Sequence, residues 1–138
     1  MENNIKDKLT IEQSSRLIEL GVSDEHASLC RIQHEADGET LYRIVPHDEF
    51  CYEMACLNPH PIFKLTDILS LLPKEIHTRI DGIRASYHLS MYGSNKNWGA
   101  LYRLDDGDDF LEAFEAPDLI DALNELLVWV LKNGYYKQ

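Results

Sequence analysis

Residues 116–135 read APDLIDALNELLVWVLKNGY, and this stretch carries the signals of one complete amphipathic helix. Pro117 suits the first turn, where its missing N–H is not needed, and Gly134 suits the position just after a helix end. At about 100° per residue, the large aliphatic side chains fall on one face: Leu119, Leu123, Leu126, Leu127 and Val130. Because such a face has to be buried, we expect this helix to cover a sheet.

The strands of that sheet are predicted directly before the helix. Within residues 83–115, the segments ASYHLSMY, WGALYRL and FLEAFE have the alternation and composition of β-strands. The segments GSNKN and DDGDD between them are typical of turns. The pattern therefore predicts a three-stranded meander against which the C-terminal helix packs.

The N-terminal part of the chain is predicted to form a helix followed by a β-hairpin. Thr10 and Gln13 have the spacing of a capping box, which marks the start of the helix. In residues 30–45 the runs CRIQH and TLYRIV lie on either side of Asp37 and Gly38, a pair of residues typical of tight hairpin turns. The two runs are therefore expected to pair as antiparallel strands.

The middle of the chain is less regular. Residues 46–62 contain three prolines without an apolar period, so an irregular loop is expected there. Thr66 and Pro73 are placed to cap and to end a short helix. We therefore predict one α+β domain over residues 1–138. Its antiparallel sheet would combine the C-terminal meander with the N-terminal hairpin and pack against the long C-terminal helix and shorter helices.

The net charge limits the classes of partner. The chain carries 13 basic and 24 acidic residues, a formal charge of −11. The basic residues look scattered along the sequence, so direct binding to nucleic acid is not expected. The longest apolar run is far too short for a membrane span, and the first residues lack the apolar core of a signal peptide. A cytoplasmic location and no membrane partner are the resulting expectations.

Cysteine and histidine residues offer weak candidates for chemistry. Two groups have a spacing loosely compatible with metal ligands: His26, Cys30 and His34, and Cys51, Cys56 and His60. The first would share a face only on a continuous helix, and neither group supplies a fourth ligand. A nucleophilic pair of Cys51 or Cys56 with His47 or His60 is the other alternative. Because the sequence shows no geometry for either, we predict no metal, no cofactor and no catalytic residue.

Two surfaces are candidates for contacts with another protein. The acidic cluster in the last predicted turn consists of Asp105, Asp106, Asp108 and Asp109. It lacks the ligand spacing of an EF-hand, so a hydrated hairpin tip is the simpler interpretation. On the C-terminal helix, Val128 falls among the acidic residues and Trp129 lies at the edge of the apolar face. An apolar residue on a polar face can mark an interface.

Three segments carry a resemblance to known proteins: LTIEQSSRLIELGV, FKLTDILSLLPKEI and APDLIDALNELLVWVLKNGYY. Together they resemble a family of small uncharacterised bacterial proteins found in chromosomes and in phage or conjugative elements. The similarity covers about the first two dozen residues and most of residues 63–138, and leaves out the segment 30–61. It implies a mobile-element setting but no catalytic or binding residue.

The function expected from these observations is that of a small acidic accessory protein without enzymatic activity. It would act on an unidentified protein partner or by self-association. The alternative is a metal- or thiol-dependent enzyme built around residues 26–60. A sharper version of the first hypothesis is mimicry of nucleic acid, which requires the carboxylates to line up on one face of the protein.

Overall fold

The computed structural model describes residues 5–47, 57–104 and 109–136. The contacts of the chain divide it into two compact units. The N-terminal unit is Asp7–Asp67, and the C-terminal unit joins Met1–Lys6 to Ile68–Gln138. The chain is α+β, as predicted. The prediction of one sheet that combines the meander with the hairpin is wrong, because the strands of the described residues form two separate antiparallel sheets.

The N-terminal unit contains a helix, a short 3-10 turn and a sheet. Its elements are α1 (Ile11–Glu19), the 3-10 turn Asp24–His26, β1 (Leu29–Ala36), β2 (Glu39–Pro46) and β3 (Leu57–Ile62). The three strands are antiparallel in the order β2-β1-β3. The chain then enters α2 (Leu65–Leu71).

Local sequence signals explain much of this unit. The predicted capping box is confirmed, since the Thr10 side chain accepts from the Gln13 N–H and the Gln13 side chain accepts from the Thr10 N–H. The predicted hairpin is confirmed as β1–β2. Asp37 and Gly38 both have positive φ, at 51° and 77°, which is the requirement of a type I′ turn.

Two predictions for the middle of the chain are wrong. The irregular loop expected over residues 46–62 contains β3, which pairs with β1. Pro59 and Pro61 concealed this strand, but prolines are tolerated there because β3 lies at an edge of the sheet. Thr66 does not cap α2, because it lies inside the first turn of that helix.

The C-terminal unit is a four-stranded meander with a helix on one face. The strands β4 (Glu75–Ile80), β5 (Ile83–Gly93), β6 (Trp98–Leu104) and β7 (Phe110–Ala116) pair in chain order. The helix α3 (Leu119–Lys132) packs on β6 and β7, as predicted. The predicted meander of three strands is one strand short, because β4 pairs with β5 across Asp81 and Gly82, which both have positive φ.

The core of this unit lies between the sheet and α3. Leu123, Leu126, Leu127 and Val130 are completely buried, together with Tyr102 of β6. The Tyr102 hydroxyl donates a hydrogen bond of 2.7 Å to the carbonyl oxygen of Pro73. Burial raises the pKa of this phenol well above its ordinary value, so Tyr102 stays protonated and remains a donor at neutral pH.

The opposite face of the sheet shows why β6 contains Gly99. The ring of Tyr92, on the neighbouring strand, lies over Gly99, and a Cβ at that position would come within 2.2 Å of the ring. The Tyr92 hydroxyl donates to the carboxylate of Glu115 on β7. That hydrogen bond, with a smaller contribution from burial, raises the pKa of Tyr92. The ring therefore ties three strands together only because β6 has no side chain beneath it.

Candidate functional site

The candidate surface is the edge strand β2, which carries exposed apolar side chains. Leu41, Tyr42 and Ile44 are 41%, 57% and 42% exposed. Within the described residues, β2 pairs only with β1, and no strand covers its other edge. Exposed apolar edges of this kind are surfaces on which another strand can be added.

The register of the hairpin shows which amides of β2 face outward. The His47 N–H donates to the Ser28 carbonyl oxygen at 2.9 Å, just beyond the strand ends. Hydrogen-bonded pairs recur at every second position of an antiparallel ladder. The pairs Cys30↔Val45 and Ala36↔Glu39 therefore bond within the hairpin. The backbone groups of the alternate residues point to the free edge: Thr40, Tyr42 and Ile44.

The side chains of β2 divide between the two faces of its sheet. On one face, the Arg31 guanidinium carbon lies 4.5 Å from the centre of the Tyr42 ring, which is a cation–π contact. On the other face, Val45 packs with the buried pair Cys30 and Ile32. Glu39, Leu41 and Arg43 follow Val45 on that second face, because side chains alternate along a strand. The strand thus combines apolar side chains with one charge of each sign.

The first predicted metal group is not assembled on a helix. His26 is exposed in the 3-10 turn, whereas Cys30 is completely buried on β1. Residue 34 is also on β1, about 13 Å along the strand from Cys30, and its side chain is outside the described part. Within the described ranges, no three His, Cys, Asp or Glu side chains form a group that could hold a metal ion.

The second metal group and the thiol pair each include residues that the structure does not describe. Cys51 and Cys56 lie outside the described residues. His60 is on β3, opposite Arg31, and His47 follows β2. The Nδ1 of His47 lies 2.9 Å from the Ala27 carbonyl oxygen, so this nitrogen donates to the backbone. The prediction of no metal site stays a prediction.

The predicted interaction residues near the C-terminus have different surroundings. Asp105, Asp106 and Asp108 lie outside the described residues, and Asp109 is exposed. The expectation that Val128 is exposed is wrong, since only 7% of it is accessible. Trp129 is half-buried, with its ring 6.4 Å from that of Tyr102 and 5.3 Å from that of Tyr135. Helical periodicity assigned Val128 to the polar face, whereas the buried residues of α3 extend beyond the apolar face to include it.

The outer face of the four-stranded sheet carries a polar cluster that the sequence analysis missed. The Ser86 Oγ lies 2.8 Å from the His77 Nδ1. Glu75 lies between two histidines, with one oxygen 3.2 Å from the His77 Nε2 and the other 3.2 Å from the His88 Nδ1. The register of β4 and β5 creates this cluster, and recognising the turn at residues 81–82 would have predicted it.

The cluster has the contacts of a nucleophile, a base and an acid, but it lies on an exposed surface. Ser86 and His77 are directly opposite each other on neighbouring strands of that surface. The His77 side chain is also 58% exposed, so water is not excluded from it. The geometry is that of a hydrated hydrogen-bond network on a sheet surface.

The same face also gathers arginines. Arg79 is directly opposite Arg84, and Arg103 is opposite both His88 and Phe110. All three guanidinium side chains are exposed. Strand pairing therefore places Arg79 against Arg84 on this face, with Arg103 farther along the same face opposite His88.

Comparisons with known proteins add no relative. No protein-family model matches the sequence, and neither the curated proteins nor the solved structures gave a match. The helices formed by the described residues include none that is long and apolar enough to cross a membrane. What the chain does has to be inferred from its own surfaces.

Proposed function

We propose that this chain is a small acidic accessory protein without enzymatic activity, and that it binds an extended polypeptide along the free edge of β2. The observation that carries the proposal is the outward row of amides at Thr40, Tyr42 and Ile44, set among exposed apolar side chains. Backbone hydrogen bonds would supply affinity, and the side chains at alternate positions would supply specificity. The resemblance adds a mobile-element setting, and the location proposed is the cytoplasm.

The distribution of acidic residues argues against mimicry of nucleic acid. In the C-terminal unit, Glu75 and Glu115 lie on the outer face of the sheet, whereas Asp121 and Glu125 lie on α3. The helix packs on the opposite face of that sheet, and the outer face also carries three arginines. A phosphate-like row of carboxylates on one face is therefore not formed by these residues.

The proposal is tested by blocking the outward backbone of β2. Tyr42→Pro removes an N–H that faces the free edge and leaves the bonds to β1 in place, a position where proline is tolerated. Purified full-length protein would be used to select extended peptides from a displayed random library. We expect Tyr42→Pro to weaken binding of the selected peptides at least roughly tenfold, because one bond is lost and the ring obstructs the added strand.

The control is Tyr42→Thr, which removes the aromatic ring but keeps the N–H and a residue suited to strands. It should bind the same peptides more tightly than the proline variant. In the wild type, bound peptide should slow hydrogen exchange at Thr40, Tyr42 and Ile44 far more than at the amides already bonded to β1. Peptide binding that leaves these three amides unprotected would overturn the proposal.

We also propose that the chain does not bind nucleic acid directly, although three arginines share the outer face of the C-terminal sheet. The net charge of −11 repels a phosphate backbone over the whole molecule. In fluorescence anisotropy at 0.15 M salt, labelled single-stranded RNA and DNA should show no saturable binding. Saturable binding that is lost when Arg79, Arg84 and Arg103 are all replaced by glutamine would contradict this prediction.

A further inference from the structure

We propose that the strand added to β2 is β2 of a second copy, so that two N-terminal sheets join across a two-fold axis into one six-stranded sheet. This inference rests on the proposed function, because it uses the same free edge. Each copy contributes β1, β2 and β3, and the two β2 strands run antiparallel at the centre. The occupant is identified by the charges and backbone groups of β2 itself.

The outward amides restrict how two copies can pair. Thr40, Tyr42 and Ile44 must face outward-pointing residues of the second copy, or no hydrogen bonds form. A symmetric antiparallel pair that meets this condition places one residue opposite itself on the two-fold axis. The candidates near the middle of the strand are Leu41, Tyr42 and Arg43.

Charge selects the register centred on Leu41. In that register Glu39 is opposite Arg43 of the second copy, and the symmetry repeats this ion pair on the other side of the axis. Thr40 is opposite Tyr42 of the second copy, and the two such pairs form four backbone hydrogen bonds. Opposite charges directly across an antiparallel pair are favourable. Leu41, which is 41% exposed, meets its own copy at the axis and is covered.

The other two registers lack these ion pairs, although the register centred on Tyr42 forms six backbone hydrogen bonds in place of four. With Tyr42 on the axis, Glu39 is opposite Val45 and Arg43 is opposite Leu41, so neither charge has a partner across the interface. With Arg43 on the axis, two guanidinium groups face each other, which is unfavourable. That register also places Pro46, which has no N–H, in a position that should bond to Thr40. The Leu41-centred register is the only one of the three that pairs both charges.

The test uses sedimentation velocity of the full-length chain over a range of concentrations at 0.15 M salt. This salt concentration limits the long-range repulsion between two acidic molecules but leaves close ion pairs in place. The wild type should form dimers. Glu39→Arg and Arg43→Glu should each weaken self-association at least roughly tenfold, because each places like charges opposite each other twice. Glu25→Arg, an equal charge change at an exposed residue outside the strand, should leave the dimer unchanged.

The decisive result is obtained by mixing the two single variants. The Glu39→Arg variant has arginine at positions 39 and 43, and the Arg43→Glu variant has glutamate at both of these positions. In a mixed dimer every arginine therefore faces a glutamate. An equimolar mixture should form heterodimers although neither variant forms homodimers. The double variant Glu39→Arg/Arg43→Glu should dimerise with itself. Mixing would not restore dimer formation to a misfolded variant. Dimer formation in the mixture would therefore show that the single substitutions disturb strand pairing and not folding. Single variants that dimerise like the wild type, or a mixture that stays monomeric, would overturn the inference.

The outcome also separates this inference from the proposed function. A monomeric wild type whose selected peptides still protect Thr40, Tyr42 and Ile44 would remove the second copy as the occupant and leave strand addition standing. If neither a peptide nor high protein concentration protects these amides, both proposals fail. Dimers that form but are unaffected by Tyr42→Pro would place the contact elsewhere and overturn the inference.

Discussion

Replacement of Leu126 by alanine is expected to lower the free energy of unfolding of the C-terminal unit by about 2–5 kcal/mol. Leu126 is completely buried on α3, the helix that packs on β6 and β7. The alanine removes apolar contacts and leaves a cavity, whereas its high helix propensity cannot account for a loss of stability. The effect would therefore report the packing of α3 in the core.

The measurement is urea denaturation followed by tryptophan fluorescence. Both tryptophans, Trp98 and Trp129, belong to the C-terminal unit, so the signal reports that unit. Glu125→Ala is the control, because Glu125 is exposed on the same helix and should change stability by less than about 0.5 kcal/mol. Equal effects of the two substitutions would show that α3 does not anchor this core.

The second large effect is expected at Asp67, in the N-terminal unit. Its carboxylate accepts three hydrogen bonds: from the Ser28 N–H at 2.8 Å, the Ser28 hydroxyl at 2.5 Å and the Lys64 N–H at 2.9 Å. Ser28 immediately precedes β1 and Lys64 immediately precedes α2. Asp67→Ala would leave these donors without the carboxylate, at a cost of about 1.5–3 kcal/mol.

Hydrogen exchange of the β1 and β2 amides measures this loss, since the N-terminal unit contains no tryptophan. Exchange should become roughly tenfold faster or more, because about 1.4 kcal/mol corresponds to a factor of ten. Asp67→Asn keeps one carbonyl oxygen as an acceptor and should have an intermediate effect. Unchanged exchange in Asp67→Ala would mean that the three bonds do not hold β1 and α2 in place.

Elements that depend on local chemistry were predictable. The capping box at Thr10 and Gln13 satisfies helix N–H groups within four residues of chain, so its pattern is visible in the sequence. The turn at Asp37 and Gly38 needs two residues that accept positive φ, and few residue pairs do so readily. The final helix was recognised from its apolar period and from Gly134 after its end, but Pro117 precedes the N-cap Asp118 and does not lie in the first turn as predicted.

The two strands that were missed have a common cause. For β3, prolines at positions 59 and 61 spoil the local pattern, and only pairing with β1 makes the segment a strand. For β4, the turn residues Asp81 and Gly82 were visible in the sequence. The first strand of the meander was nevertheless expected to begin only after this turn, so the strand before it was missed. Strand pairing supplies hydrogen bonds that no window of neighbouring residues displays.

The candidate surface was not predicted at all. The sequence pattern indicated contacts at Val128, Trp129 and the aspartates of residues 105–109, whereas the proposed binding surface is β2. Residues 39–46 look like one half of an ordinary hairpin in the sequence. Their position at the edge of a three-stranded sheet depends on β3 pairing with the other side of β1. Because β3 pairs with β1 and not with β2, the outward amides of β2 are left free among the described residues.

The sequence by itself determined where α1 begins, where α3 ends, where the β1–β2 hairpin reverses, and the amphipathic face of α3, because each depends on groups a few residues apart. Tertiary structure alone decided which strands are neighbours, which edge is left open, and which side chains share a face. Arg79 faces Arg84, and Glu75 lies between His77 and His88, only because the strands pair in one register. Backbone pairing can join residues at any separation along the chain, so no local pattern specifies it.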